Sequence, residues 1–431
     1  MSKEIRVGML GFGTVGAGVV KVLTDNARSI EQKVGVPVVI KKILVRNPDK
    51  IRKIAFNGEI TTQIEDIFQD PDIDIVVEVI GGEEPAKNYQ LQALRSGKHV
   101  VTANKDVIAR YGRELFAAAE ENNVDLMFEA SVGGGIPIIR PLKQCLAGNT
   151  ISKVMGIVNG TTNYMLTKMS NEHMDFATVL AEAQAKGYAE ADPTADVGGF
   201  DAARKIAILA SIAFGARVTI DDVYVEGITQ INVKDIDYAR ELGYVIKLLA
   251  VATQTEESIT VRVHPTLLPV SHPLAAVGDV FNAIFVQGDA VGETMFYGRG
   301  AGSLPTASAI VGDIIDVARD IVHHSGSRIL CTCFNHKPIA PIDVTESPYY
   351  IRLLVEDKPG VLASIAGAFG DQHVSLHSVI QKRKVDSGTE LVLVTYKVLD
   401  ANLRLAVNTL LSMPVVMKVD NVIRVESEDF D

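Results

Sequence analysis

Residues 186–215 read KGYAEADPTADVGGFDAARKIAILASIAFG and gather carboxylates around one lysine. Glu190, Asp192 and Asp196 load a loop punctuated by Pro193 and the Gly198-Gly199 pair. A helix is predicted over about 200–214, stopped by Gly215. Asp201 and Lys205 stand four apart at its start and share a face. Past them Ile206, Ile208, Leu209 and Ile212 make the helix apolar on most sides, as a buried helix is. A protonated amine at the mouth of such a helix, facing carboxylates, can bind an amino-acid-like molecule and donate a proton to it. The same pair also describes an ordinary solvated helix pair worth ~0.3–0.5 kcal/mol. This segment alone leaves both readings open.

Such groups need a frame. Residues 5–10 form a short apolar strand, followed at once by Gly11-Phe12-Gly13-Thr14-Val15-Gly16 and a helical run. This is G-x-G-x-x-G between a strand and a helix, the context that binds a dinucleotide. Gly11 permits the tight turn, Gly13 lets a pyrophosphate approach the backbone, and Gly16 lets helix pack on strand. The pyrophosphate then meets unpaired N–H groups at the helix start. A second strand, 36–45, ends at Arg46, where many NAD enzymes carry an acid. Arginine there suits a 2′-phosphate and puts NADP ahead of NAD. Its distance from Gly16 exceeds the usual ~20 residues, so 24–34 reads as an insertion lengthening the first helix. Strands at 75–80, 98–102 and 124–129 alternate with helices near 85–96 and 112–122. That alternation predicts an α/β fold with an open, doubly wound parallel sheet. Sites in such sheets lie at the carboxyl ends of strands. Ile80-Gly81-Gly82, Thr102-Ala103-Asn104-Lys105 and the glycine turn 129–137 all fall there. Lys105 can reach a cofactor or substrate from that position; an ordinary loop lysine is the alternative.

Composition sets the outer limits. A chain of 431 residues implies two or three domains. With 47% hydrophobic and 22% charged residues it reads as a globular protein. A net charge of -11 argues against a general nucleic-acid or anionic-membrane binder. No apolar run reaches membrane-spanning length, and no secretory pattern precedes the first strand. Cys145, Cys331 and Cys333 are too few for a disulfide framework and fit a reducing compartment, so a cytoplasmic location is expected. Cys331-Thr332-Cys333 lacks the partners of a zinc site and reads as a buried strand pair.

Taken in order, GFGTVG, TANK, EASVGGGIPII, NGTTNY (159–164) and GYAEADPTADVGGFDAARK resemble homoserine dehydrogenases from the first strand to about residue 319. That resemblance implies reduction of aspartate 4-semialdehyde to homoserine with NADPH or NADH, on the route to threonine and methionine. It makes Lys205 the proton donor to the substrate carbonyl oxygen and puts Lys105 near both nicotinamide and substrate. Asp201 becomes a contact for the substrate's amino end, and Glu190 and Asp196 further substrate carboxylates. Phe12, Thr14, Val15 and Arg46 fall where the family contacts its cofactor. The glycine loop 297–307, with Gly302, closes over it there. The resemblance further implies a sodium ion on the Glu129 carboxylate and the main-chain carbonyls of Val132, Gly134 and Ile136. Oxygen-only ligands suit such a hard cation. The substrate carboxylate would find its donors at the turn 159–162, by the residues alone.

The middle of the chain, 151–302, shows apolar alternating runs without further βα alternation, which predicts a mixed or antiparallel sheet in an α+β domain; the resemblance implies that this is the catalytic and dimerisation domain. His264 and His272, each before proline, read as turn residues. Residues 323–348 form a linker containing Ser325-Gly326-Ser327 and three prolines. The remainder, 349–431, runs strand, helix, strand, strand, helix, strand with D-x-P-G-V-L after its first strand, and resembles an ACT domain. That resemblance implies an amino-acid effector, threonine in this setting, near Gly360 and 373–375; a purely assembling module is the alternative. The dinucleotide-binding domain is then 1–150 plus about 303–322, and a homodimer or homotetramer is expected. Two rivals are an acylating semialdehyde dehydrogenase and a non-enzymatic amino-acid sensor. The first needs a well-placed cysteine nucleophile, and Cys145 falls inside an apparent helix. The second predicts loss of Lys205 or its acids, which are present.

Overall fold

The computed structural model describes residues 4–52, 54–325, 331–385 and 388–426. The chain divides into two compact units. One comprises Met1–Val154, Arg204–Asp221 and Asn282–His336; the other Met155–Ala203, Asp222–Phe281 and Lys337–Asp431.

The first unit is built on six parallel strands. Their order across the sheet is Glu59–Thr61, Val38–Leu44, Ile5–Leu10, Ile75–Glu78, His99–Thr102, Leu126–Met127. The chain moves outward from Ile5–Leu10 first one way and then the other, and crevices for dinucleotides open at such a switch point. Helices Thr14–Asp25, Ala27–Val34 and Ser303–His323 bury Val19, Leu23, Ile30, Ile310 and Ile314 in one core with Val7, Met9 and Ile75 of the sheet. The segment 24–34 is a second helix rather than an extension of the first, because the first ends at Asn26.

In the second unit Tyr244–Gln254 and Ile259–Pro269 pair antiparallel. Tyr224–Val225 and Val416–Val425 each lie parallel to Ile259–Pro269, so the sheet is mixed. From Val416–Val425 it continues through Tyr349–Val355 and Gly388–Thr395 to Leu376–Val385. The tail therefore folds as strand, helix, strand, strand, helix, strand. Its helices Val361–Gly370 and Asp400–Ser412 bury Ile365, Phe369, Leu403 and Leu410 against Ile351, Leu353 and Leu393.

Local readings differ in three places. His264 lies inside the strand Ile259–Pro269 and is buried, not in a turn. A helix, Val233–Glu241, follows the apolar run, started by an Asn232–Asp235 capping box. Cys331 and Cys333 are half-buried in irregular chain, not paired strand. Of the linker's Ser-Gly-Ser run, 326 and 327 lie outside the described residues. Among the described residues no helix is long and apolar enough to cross a membrane.

Candidate active site

At the switch point a cleft of about 510 Å³ is lined by Gly11, Phe12, Gly13, Arg46 and Ile80, with Lys50 and Arg52 as further cations. Gly13 is the N-cap of Thr14–Asp25, and the N–H of Ala17 is bonded back to its carbonyl at 2.9 Å. A Cβ built on Gly13 meets nothing within 4 Å, so the approach to the helix start is open. Thr14 and Gly13 are exposed, Val15 is half-buried, and Phe12 and Gly16 are buried. Arg46 is exposed at the end of Val38–Leu44. Arg52 folds the following loop by donating to the carbonyls of Asn47 and Lys50, both at 2.8 Å, and its guanidinium lies 5.3 Å from the Phe12 ring centroid. The cleft fits a dinucleotide: an open helix N-terminus for the pyrophosphate and a cationic loop where the adenosine ribose falls. Lys50 and Arg52 went unremarked in the sequence, where the spacing K-I-R after Asn47-Pro48 was their sole signal.

The neighbouring turns are braced from beneath by Glu78, which is fully buried. Its carboxylate accepts from the Ile80 N–H at 2.8 Å and from Gln90 Nε2 and Thr102 Oγ1, both at 2.7 Å. Asn104 caps Lys105–Glu121 by accepting the Val107 N–H and donates to the Gly82 carbonyl at 2.7 Å. Lys105 thus begins a helix whose start is fixed on two sides. The next residue, Asp106, pairs with Arg204 Nε at 2.7 Å, and Arg204 precedes Lys205 on the helix Phe200–Ala213. One ion pair therefore clamps the turn carrying one lysine to the turn carrying the other. Both lysines are half-buried and both have polar or charged partners.

Asp201 lies one turn before Lys205 on that helix and is 8% exposed. Asn159 brings it together with Asp196: Nδ2 donates to Asp196 at 2.7 Å and to Asp201 at 2.9 Å. Asn159 in turn caps Gly160–Glu172 by accepting the Thr162 N–H at 2.8 Å. That N–H is committed to the cap, and Thr161 and Thr162 are buried. Thr161 Oγ1 donates to the Tyr188 carbonyl at 2.6 Å, which ties down the loop bearing Glu190. Glu190 itself is exposed and is not drawn into the Asp196–Asn159–Asp201 cluster.

The glycine turn after Leu126–Met127 is organised by Glu129. Its carboxylate accepts the N–H groups of Ile138, Ile139 and Arg140 at 2.6, 2.8 and 2.8 Å, and Arg140 Nε lies 3.4 Å away. Arg140 continues to Asp313 at 3.0 Å and Asp316 at 2.8 Å. These bonds brace the turn from its carboxylate outward. A monovalent cation there would meet the main-chain carbonyls of Val132, Gly134 and Ile136 beside the Glu129 carboxylate, an oxygen-only donor set of the kind a hard cation takes. Among the described residues no group of three or more His, Cys, Asp or Glu is arranged to hold a metal. Gly134 has φ +54, and a Cβ on it would stand 2.4 Å from the Gly300 carbonyl oxygen, so the two glycine loops touch backbone to backbone. Gly302 caps Ser303–His323, and Ser303 Oγ donates to the Thr14 carbonyl at 2.7 Å, which brings this loop to the start of the nucleotide helix.

Residues 137–315 match the homoserine dehydrogenase family, 11–129 its NAD-binding domain, and 349–414 the ACT domain. The homoserine dehydrogenase of Bacillus subtilis is 46% identical over 428 residues, 98% of this chain and 99% of that one. The crystal structure of a homoserine dehydrogenase from Thiobacillus denitrificans superposes with TM-score 0.94 at 44% identity, covering 99% of each chain. A hyperthermophilic archaeal homoserine dehydrogenase mutant, solved in complex with NADPH, superposes with TM-score 0.63 at 28% identity over 73% of this chain and 97% of its own. With the dinucleotide crevice, the two clamped lysines and the paired acids, these matches assign the chain to the homoserine dehydrogenase family, NAD(P)-dependent oxidoreductases acting on a CH–OH group, with an ACT domain at the C-terminal end.

Proposed function

We propose that Lys205 donates the proton and that Asp201 and Asp196 hold the substrate ammonium as aspartate 4-semialdehyde is reduced to homoserine. The observation that carries this reading is Asn159 Nδ2, bonded to both carboxylates at 2.7 and 2.9 Å, one helical turn from Lys205. Two carboxylates held by one amide make a compact anionic seat for an ammonium group. When bound, the reduced nicotinamide supplies the hydride. Negative charge then develops on the carbonyl oxygen, where the Lys205 ammonium stabilises it and delivers the proton. Lys105, at the start of its helix, orients the substrate or the nicotinamide. Glu190, on the neighbouring exposed loop, is a further carboxylate for the substrate by resemblance.

NADP is favoured over NAD by Arg46, Lys50 and Arg52, three cations lining the cleft beyond Val38–Leu44. An archaeal relative is solved in complex with NADPH. A sodium ion, implied by resemblance alone, would rest on the carbonyls of Val132, Gly134 and Ile136, and no step of the reaction runs through it. The pathway reading is threonine and methionine synthesis in the cytoplasm, with threonine as the feedback effector of the ACT domain and a homodimer or homotetramer as the working form. The functional division follows 1–150 with about 303–322 for the nucleotide, 151–302 for catalysis and assembly, 323–348 as linker and 349–431 for regulation. The test is to follow the absorbance of reduced nicotinamide with homoserine and either NADP or NAD, with and without threonine. Oxidation of homoserine with NADP faster than with NAD is expected. No oxidation with either cofactor overturns the reading.

A further inference from the structure

The reaction leaves one cluster unused. On the lysine helix, past Lys205, a small cavity of about 20 Å³ is lined by Ser211, Lys143, Arg217, Cys331 and Cys333 among apolar neighbours. Arg217 Nη2 donates to the Cys331 sulfur at 3.5 Å. Lys143 Nζ stands 5.0 and 5.2 Å from the ring centroids of Phe116 and Phe128. Burial lowers its pKa to about 8, while Cys331, Cys333 and Glu129 pull the other way. Cys333 approaches the Ser211 carbonyl at 3.9 Å, and the Asn335 N–H donates to the Gly215 carbonyl at 2.7 Å, so the 331–335 strap is fastened to the end of the lysine helix. Both sulfurs are half-buried rather than sealed in.

Two thiols one residue apart do nothing notable in an apolar core. Here they share a cavity wall with two cations. The hydrogen bond from the Cys333 thiol, its backbone N–H, and the charges of Arg217 and Lys143 hold Cys331 far below the ordinary thiol range, against the opposing effect of burial. The hydrogen bond it makes to Cys331, together with burial, pushes Cys333 the other way, so the two sulfurs differ sharply in acidity. A thiolate with solvent access and an adjacent resolving thiol is the arrangement that peroxide oxidises selectively.

We infer that Cys331 is a hydroperoxide-reactive thiolate and Cys333 its resolving thiol, in a modification site on the flank of the catalytic helix. In the first step the Cys331 sulfur attacks one oxygen of hydrogen peroxide. The S–O bond forms, the O–O bond breaks, and the leaving hydroxide becomes water with a proton that Lys143 is placed to supply. Sulfur is oxidised by two electrons to the sulfenic acid and the peroxide is reduced. In the second step Cys333 attacks that sulfur; the S–S bond forms, the S–O bond breaks, and water leaves with the thiol proton. Exchange with a small dithiol restores both thiols.

Cys145, exposed on the same chain, is the internal control. The full chain, reduced, is treated with limiting iodoacetamide at pH 6 and at pH 8, and each cysteine is read by peptide mass spectrometry. Alkylation of Cys331 at least tenfold faster than Cys145 at pH 6, with the gap narrowing at pH 8, is expected. Equal rates at pH 6 overturn the thiolate assignment. Hydrogen peroxide then gives a peptide joined between Cys331 and Cys333. In Cys333→Ser it stops at a sulfenic acid trapped by dimedone. Peroxide that modifies Cys145 while leaving 331 and 333 reduced overturns the pair. Arg217→Met is expected to slow Cys331 alkylation without changing that of Cys145, and an unchanged rate removes Arg217 from the site.

Discussion

The role proposed for Lys205 rests on one proton. Lys205→Ala would remove the proposed donor and leave the cleft around Arg46 and Gly13 untouched. Turnover is expected to fall by roughly 10²–10⁴ with cofactor affinity unchanged, read by steady-state kinetics beside fluorescence titration of the reduced dinucleotide. Near-normal turnover takes Lys205 out of the reaction. The i,i+4 spacing of Asp201 and Lys205 was legible in the sequence because a helix puts such residues on one face. Asn159, 42 positions from Asp201, was not, since nothing local says which amide will cap a helix and hold two distant acids at once. Arg204 and Asp106 hid for the same reason: their pairing is made by the fold. Asp70 carries a different kind of residue-scale prediction. Burial would raise its carboxyl, yet hydrogen bonds from Lys41, the Asp72 N–H and Lys42 hold it far below its ordinary 3.8. A carboxyl depressed in the folded state stabilises above the unfolded pKa and loses that contribution as pH falls. Asp70→Asn is therefore expected to lower the urea midpoint at pH 7, with the gap to the parent protein narrowing progressively as pH falls from 4 toward 2. A gap that stays constant with pH excludes the linkage.

At the scale of elements, the turn 196–199 and the segment after Tyr224–Val225 act together. The Ile228 N–H donates to the Val197 carbonyl at 2.9 Å, and a Cβ on Gly227 would stand 2.2 Å from that same oxygen. Gly227→Ala must push the turn that carries Asp196. Overpacking of this kind costs about 1–3 kcal/mol, and KM for homoserine is expected to rise several-fold more than the dissociation constant of the cofactor. Equal changes in both would mean a general loss of fold instead. Strand–turn–helix order at Gly11–Gly16 was readable because periodicity and glycine spacing are local signals. The helix Val233–Glu241 was passed over although Asn232 and Asp235 announce it, because the apolar run before it suggested strand. His264 was misread through its following proline. Proline at 265 takes its place in the strand Ile259–Pro269 where the sequence suggested a turn, and burial drives the imidazole well below its ordinary pKa, so it stays neutral.

On the scale of the second unit, the ACT strands extend the sheet that begins with Tyr244–Gln254 and Ile259–Pro269. Thr266 faces Arg424 and Leu267 faces Val425 across one parallel ladder. The connection is reinforced by a buried ion pair: Arg352, 3% exposed in its side chain, donates to fully buried Asp235 at 2.7 Å and to Asp420 at 2.9 Å. Asp235 is also the capping residue of Val233–Glu241. The tail's strand order could be read from its periodicity, but its seam with Ile259–Pro269 could not, since edge strands choose partners by geometry that no local pattern records. Arg352→Met leaves Asp235 buried beside Asn421 and Tyr350 without its cation, a change that costs about 3–5 kcal/mol. If the tail and the strand pair unfold as one block, the variant shifts the loss of activity and the loss of ellipticity in denaturant to the same lower midpoint. Two separated transitions, with activity surviving the first, would mean the seam transmits nothing. Cutting the chain after Pro348 removes the strand paired with Thr266 and Leu267 and bares that stretch of the edge of Ile259–Pro269, so the shortened protein is expected to aggregate rather than simply lose its response to an effector.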